Sequence, residues 1–305
     1  MDDDDAGDDD DDVVDDDDAG DDVFDCATIS STPLSERTIE GARGYHGLAI
    51  DDEGKIVGAD GQSLIKADYE GNWEVFVPGL GSFEQMVYLP SGDLLANNRA
   101  TGSIQRITPD GGYETIFPNR SAYGMVIGPD GMAYTAGTSM VTRTDPSTGQ
   151  TESIVDWDVN GEPHALDFDK DFTRLLVSSI GPNILYAIDL DENFDAIGTP
   201  YVFARFGDGW QDGVAMDACG YIYVPEFWGR SLWRVSPDGT PVRYINWSGQ
   251  GYQYGHGVVW GTGEDGWRED ALYMPMPYNN NRVKEVVVGV PPRTWSGRVI
   301  NAPLP

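Results

Sequence analysis

This 305-residue chain is poor in histidine, with three, in cysteine, with two, and in positive charge, with 19 Lys and Arg against 52 Asp and Glu. The shortage of cations excludes nucleic acid and anionic membrane surfaces as partners, because their phosphates would be repelled. Two cysteines, Cys26 and Cys219, are too few for a cysteine zinc site. They leave two free thiols or one disulfide tying the chain start to a distant turn. The disulfide is the expectation, and it suits an exported protein. No apolar run reaches the ~18 residues that a membrane-spanning helix needs. No segment carries a convincing helical period.

The negative charge is uneven. Sixteen of the acidic residues lie in Asp2–Asp25 with no basic residue among them, so the remainder carries 36 against 19, a balance of −17. Residues 1–25 cannot bury enough apolar surface to offset the entropy of ordering and read as a disordered Asp-rich tail. Residues 26–305 then form the folded domain. The Asp-Gly-Ala run resembles the spacer that follows the lipid-anchored cysteine of bacterial surface lipoproteins. That likeness implies a lipid anchor upstream and a periplasmic or cell-surface location.

The body is organised by a short phrase that recurs. It reads His46-Gly47-Leu48-Ala49-Ile50-Asp51 first. It returns led by Glu84, Tyr123, His164, Asp212 and His256, at spacings of 38, 39, 41, 48 and 44 residues. Eight residues after the lead comes a turn glycine in four copies, Gly54, Gly92, Gly131 and Gly220, with Phe172 there in the fourth. Each phrase is followed by three short segments that alternate as strands do, such as Lys55–Ala59, Ser63–Ala67 and Trp73–Val77. Turns such as Thr108-Pro109-Asp110-Gly111 and Ser236-Pro237-Asp238-Gly239 separate them. Four strands at a period of about 40 residues are the pattern of a propeller blade. The chain therefore reads as an all-β, six-bladed β-propeller with four antiparallel strands per blade. The sixth repeat lacks a good fourth strand, and Glu36–Glu40 can supply it, closing the ring from the N-terminal side. Pro291–Pro305 is expected to wrap the outside.

The first strand of a blade lines the central channel, so the six lead residues face one axis near one mouth. All three histidines of the chain stand at lead positions. Three imidazoles, two carboxylates and a phenol brought together must pair, bind water or bind a cation. Imidazole with carboxylate suits zinc best, with iron, copper or calcium as alternatives. The metal ligands are expected to be His46, His164 and His256, with Tyr123, Glu84 and Asp212 as catalytic groups. Loops between second and third strands should rise over the same mouth. They offer Arg99 for a substrate carboxylate, with Glu226, Trp228 and Tyr278 as further substrate contacts. Ser178 lies in one such loop. Met274-Pro275-Met276-Pro277 reads as an irregular, partly buried edge.

The phrases Gly128-Pro129-Asp130-Gly131 and Asp212-Gly213-Val214-Ala215-Met216-Asp217 resemble those of the senescence-marker-protein-30, gluconolactonase and strictosidine-synthase-like propellers, over roughly residues 44 to 290. The resemblance implies a divalent cation, often calcium, held by Glu, Asn and Asp, and lactonase chemistry. Asp212 matches that Asp. His46 stands in place of the Glu, and Tyr123 and His164 in place of Asn. The order His46, Tyr123, His164, His256 is similar to that of peptidyl-hydroxyglycine amidating lyases, which hold zinc with three histidines beside a tyrosine. There the histidines fall on alternate blades, and here on blades one, four and six.

Two functions follow. One is an exported, monomeric, metal-dependent hydrolase or lyase acting on a small polar molecule, with metal-centred oxygen chemistry as a variant. The other is a non-catalytic surface propeller that binds a ligand and keeps a structural metal in its channel.

Overall fold

The computed structural model describes residues 24–80, 82–98, 100–117, 122–137, 139–207, 209–251, 254–280, 282–295 and 298–299. Almost all of the Asp-rich tail lies outside these residues. Phe24 already belongs to the folded body, packing beside Ile29 against a core cluster, and Asp25 caps a short 3-10 turn over Cys26–Thr28.

Six four-stranded antiparallel sheets form a six-bladed β-propeller. Blade one runs Leu48–Ile50, Ile56–Ala59, Leu64–Ala67 and Trp73–Val77. Blades two to five repeat this order from the inside out. The innermost strand of blade one is wholly buried, while its outermost strand is exposed along most of its length. The core is thus a set of clusters wedged between neighbouring sheets. In blade six, Val259–Trp260, Ala271–Met276 and Arg282–Val287 are joined by Ser35–Arg43, which pairs antiparallel to the third strand. The ring closes as the sequence implied, and it leaves no open edge between first and last repeats.

The expected turn glycines all adopt positive φ, 67° at Gly54 and 78° at Gly131 among them. Phe172 takes the same left-handed conformation, with φ 56°. Its ring is buried against Phe168, 5.7 Å between centroids, and the Arg293 guanidinium lies 4.9 Å over it. Packing and a cation–π contact offset the backbone strain that glycine would have avoided.

Three details differ from expectation. The C-terminal segment does not simply wrap the outside. Ala218 N donates to Pro291 O, Pro292 bridges Asp217, and Arg293 makes two bonds to buried Asp167 at 2.5 and 3.0 Å. Pro292 and Arg293 line a cavity of about 90 Å³ inside the channel, beyond the lead residues. A buried carboxylate at the end of blade four's inner strand draws a cation inward, and the tail follows. Residues beyond 299 lie outside the described residues. Second, Met274-Pro275-Met276 is no ragged edge but part of a regular, fully buried second strand. Pro275 has no N–H to give, and it sits where the inner strand has not yet begun to pair. Third, Ser178 lies in a strand, Arg174–Ile180, and not in a mouth loop. The expected disulfide is present between Cys26 and Cys219, with 5.6 Å between their Cα atoms.

The glycine that follows four of the lead residues has a steric purpose. A Cβ on Gly47 would stand 2.1 Å from Glu84 O, and one on Gly124 would stand 2.5 Å from His164 O and 2.8 Å from Ala165 Cα. Inner strands of neighbouring blades therefore meet backbone to backbone at the mouth. Gly124→Ala should cost about 1–3 kcal/mol in urea unfolding, the range for overpacking a filled site, since the obstructing atoms are backbone.

Candidate active site at the channel mouth

The close approach of inner strands delivers the lead side chains to one place. Five of them, His46, Glu84, Tyr123, His164 and Asp212, line a cavity of about 10 Å³, room for one water or one ion. The sixth, His256, abuts His46, with ring centroids 4.1 Å apart.

The backbone hangs these residues with care. Gly257 N donates to His46 O at 2.9 Å, joining blade six to blade one. His256 N donates to Pro275 O at 3.2 Å, and Asp212 N donates to Pro225 O at 3.0 Å. Each proline presents a carbonyl toward the inner segment and no N–H. The inner segment can thus leave regular pairing and turn its side chain to the axis. Ser178 Oγ accepts from Ala165 N and donates to Gln211 O, both at 2.9 Å, so it ties the neighbour of His164 to the neighbour of Asp212. Pro225 escaped the sequence reading, and Ser178 was placed in a mouth loop and not in the strand from which it ties two lead segments together. The repeated Val-Pro-Glu and Met-Pro-Met phrases in second strands were the available clue.

The side chains form a connected network. His46 Nδ1 lies 2.8 Å from Glu84 Oε2 and 3.0 Å from His256 Nδ1. His164 Nε2 lies 2.6 Å from Asp212 Oδ1. Asp212 Oδ2 is 3.3 Å from His256 Nδ1 but has no aligned hydrogen bond. The Tyr123 ring packs on His164 at 4.4 Å. The three imidazoles do not converge on one point. His46 and His256 meet through their Nδ1 atoms, whereas His164 is joined to them through Asp212.

As they stand, these groups pair with one another, and among the described residues no three His, Cys, Asp or Glu side chains enclose a metal position. The donor chemistry nevertheless fits a divalent cation. Two Nδ1 atoms face each other, and a buried carboxylate oxygen beside them is unpartnered. Ring protons alone leave this cluster poorly satisfied.

Burial pushes the Asp212 carboxyl up, but His164, its hydrogen bond, His256 and His46 together outweigh burial and hold it below the usual carboxylate value. Burial pushes His256 down to about 3, opposed by Asp212 and aided by the other two imidazoles. His256 is therefore neutral at pH 7 and available as a ligand or proton acceptor.

Among the proposed substrate contacts, Glu226 is fully buried and accepts from Trp233 Nε1 at 3.0 Å. It lies between Gly209 and Gly229, where any Cβ would strike its carboxylate. Trp228 and Tyr278 are exposed at the mouth around Phe227, whose ring is 4.5 Å from His256. Arg99 lies outside the described residues. Trp210, Tyr254 and Tyr45, which the sequence reading did not single out, complete the aromatic surroundings.

A six-bladed propeller with an acid–base ring at one mouth is the class that fold and site define. Known structures of this fold follow from it. No protein-family model matches the chain, and no curated protein matches its sequence. Among solved structures, the chain is similar to a gluconolactonase from Xanthomonas campestris, with TM-score 0.71 and 15% identity over 88% of this chain and 94% of that one. It is similar to regucalcin, a calcium-binding protein from Agrobacterium tumefaciens, with TM-score 0.68 and 14% identity over 88% and 98%. It is similar also to virginiamycin B lyase from Staphylococcus aureus, with TM-score 0.61 and 13% identity over 83% and 99%. These neighbours include the gluconolactonase and regucalcin propellers whose phrases the sequence resembles, and at such identities the likeness is one of fold.

The His256 shift sets a stability trend. A folded value below the ordinary 6.5 means that the unfolded chain binds more protons, so stability is full above about pH 6.5 and is lost as pH falls toward 3. Asp212 pulls the same way at lower pH. In chelator-treated protein, the melting temperature should start to fall below about pH 6.5, and His256→Gln should flatten that upper part of the acid limb.

Proposed function

We propose that the chain is a hydrolase that adds water to a small ester or lactone at the channel mouth, assisted by a divalent cation. The observation that carries this reading is the water-sized cavity enclosed by Tyr123, Glu84, His164, Asp212 and His46. It sets a water among groups that take and give protons. The lactonase and lyase activities of similarly folded proteins support a reaction at this mouth, and room for a water beside proton-transferring groups suits hydrolysis.

The cation ligands in this reading are His46 Nδ1, His256 Nδ1 and Asp212 Oδ2, a donor set that suits zinc. A bound divalent cation supplies a polarised carbonyl oxygen and a more acidic water. His164 serves by gripping Asp212 Oδ1, which fixes the plane of that carboxylate. Glu84, which lines the cavity and is released from His46 Nδ1 when that nitrogen holds the cation, takes the proton of the attacking water. Tyr123, packed on His164, gives a proton to the departing alcohol oxygen. The buried setting strengthens each of these interactions by excluding competing solvent. Export belongs to the same reading. The Cys26–Cys219 bond supports it, because disulfides persist in oxidising compartments. Within it, residues 1–25 act as a solvated spacer and the propeller is a monomer.

The full chain, loaded with zinc after chelation, should hydrolyse short esters or lactones, and removing the metal should abolish turnover reversibly. Glu84→Gln should lower kcat by about 10²–10⁴-fold with a small change in KM. Elemental analysis and steady-state kinetics check both. Site-specific metal uptake without hydrolysis would instead identify a ligand-binding propeller. Wild-type turnover in Glu84→Gln would remove the carboxylate from the mechanism.

A further inference from the structure

One side of the mouth is built differently from the rest. Phe227, buried, stands at the centre of a group of aromatic rings contributed by blades five and six. Its centroid is 4.8 Å from Trp228, 5.0 Å from Tyr254, 5.6 Å from Tyr278 and 6.1 Å from Trp210. Trp228, Tyr278 and Trp210 keep 55%, 54% and 41% of their surface exposed. Phe227 also touches His256 edge-on at 4.5 Å, so the wall is continuous with the acid–base ring. Soluble proteins rarely leave so many large rings clustered in water without a use for them.

Two charged groups beside this wall are engaged. Glu226 is buried and accepts from Trp233, and the Arg230 guanidinium donates to Gly251 O while lying 5.5 Å from the Tyr254 ring. Among the described residues the exposed part of the wall is made mainly of ring faces and edges. Two carboxylates lie in the ring below, in a chain of net charge −33, which disfavours an anionic ligand.

We infer that the mouth selects esters or lactones that carry an uncharged aromatic ring, with that ring stacked on Trp228 and Tyr278 while the carbonyl reaches the lead residues. The assignment rests on the hydrolase reading for the reacting group, but the ring subsite exists independently of turnover. In the reaction, the water hydroxyl joins the acyl carbon, the acyl–oxygen bond breaks, and the remaining proton passes to the released alcohol oxygen. No oxidant or reductant is consumed.

The test is equilibrium binding of unreactive probes to the full chain by calorimetry. Acetophenone presents a neutral aryl carbonyl, 2-butanone lacks the ring, benzoate carries charge, and methyl glucoside presents a sugar ring. Acetophenone should bind at least tenfold more tightly than the other three, and Trp228→Ala and Tyr278→Ala should each weaken it about 3–10-fold, the scale of one lost aromatic contact. Both side chains are largely exposed, so these variants retain the fold. Equal binding of acetophenone and 2-butanone, tighter binding of methyl glucoside, or indifference to both substitutions overturns the inference. Failure of esters to turn over while acetophenone still binds at this wall would count against the hydrolase reading alone.

Discussion

The structure depends on how closely neighbouring inner strands approach at one mouth of the channel. Backbone meets backbone at several of these crossings, where a Cβ would strike the neighbouring strand, as at Gly47 against Glu84 O and Gly124 against His164 O. A wider spacing would let water separate the lead side chains, and carboxylate and imidazole would each be solvated alone. At the observed spacing they are desolvated together, and pairing becomes compulsory. The short contacts between His46 and Glu84, and between His164 and Asp212, follow from that requirement.

Close approach alone does not aim the side chains. The inner strands of blades five and six are reduced to two residues each, Ala215–Met216 and Val259–Trp260, so Asp212 and His256 lie ahead of the regular ladder. Their amides still need acceptors. Pro225 and Pro275 supply carbonyls and make no demand for one in return. Ser178 does the corresponding work between blades four and five with one hydroxyl used in both senses. The acid–base ring thus rests on side chains and carbonyls that belong to second strands, one layer out from the axis.

The far end of the channel is organised by opposite chemistry. Asp167 and Arg293 form a buried ion pair, the Arg293 guanidinium covers Phe172, and Pro292 lines the cavity above. The turn from Asp217 to Gly220 holds segments from before the first blade and after the last. Pro291 and Pro292 lie against it, and Cys219 holds Cys26. Among the described residues these segments lie at one end of the channel, and the lead residues and the aromatic wall stand at the other.

The six blades, their order, the closing strand and the common register of the lead residues were legible in the chain itself. Repetition of a four-strand unit imposes them, since a sheet that buries both faces against like neighbours has few ways to close. Turn glycines were legible from local turn signals, and the disulfide from the presence of just two cysteines. The pairing of individual groups was not. That His256 meets His46 while His164 grips Asp212 depends on ring orientations set by Pro275, Pro225 and Ser178, which are remote in sequence from the residues they position. The inward path of Arg293 likewise required a buried carboxylate 126 residues earlier. Local periodicity determined which residues face the axis. Only the packed ring decided which of them touch, because desolvation and hydrogen-bond geometry act between side chains that the order of the chain does not bring together.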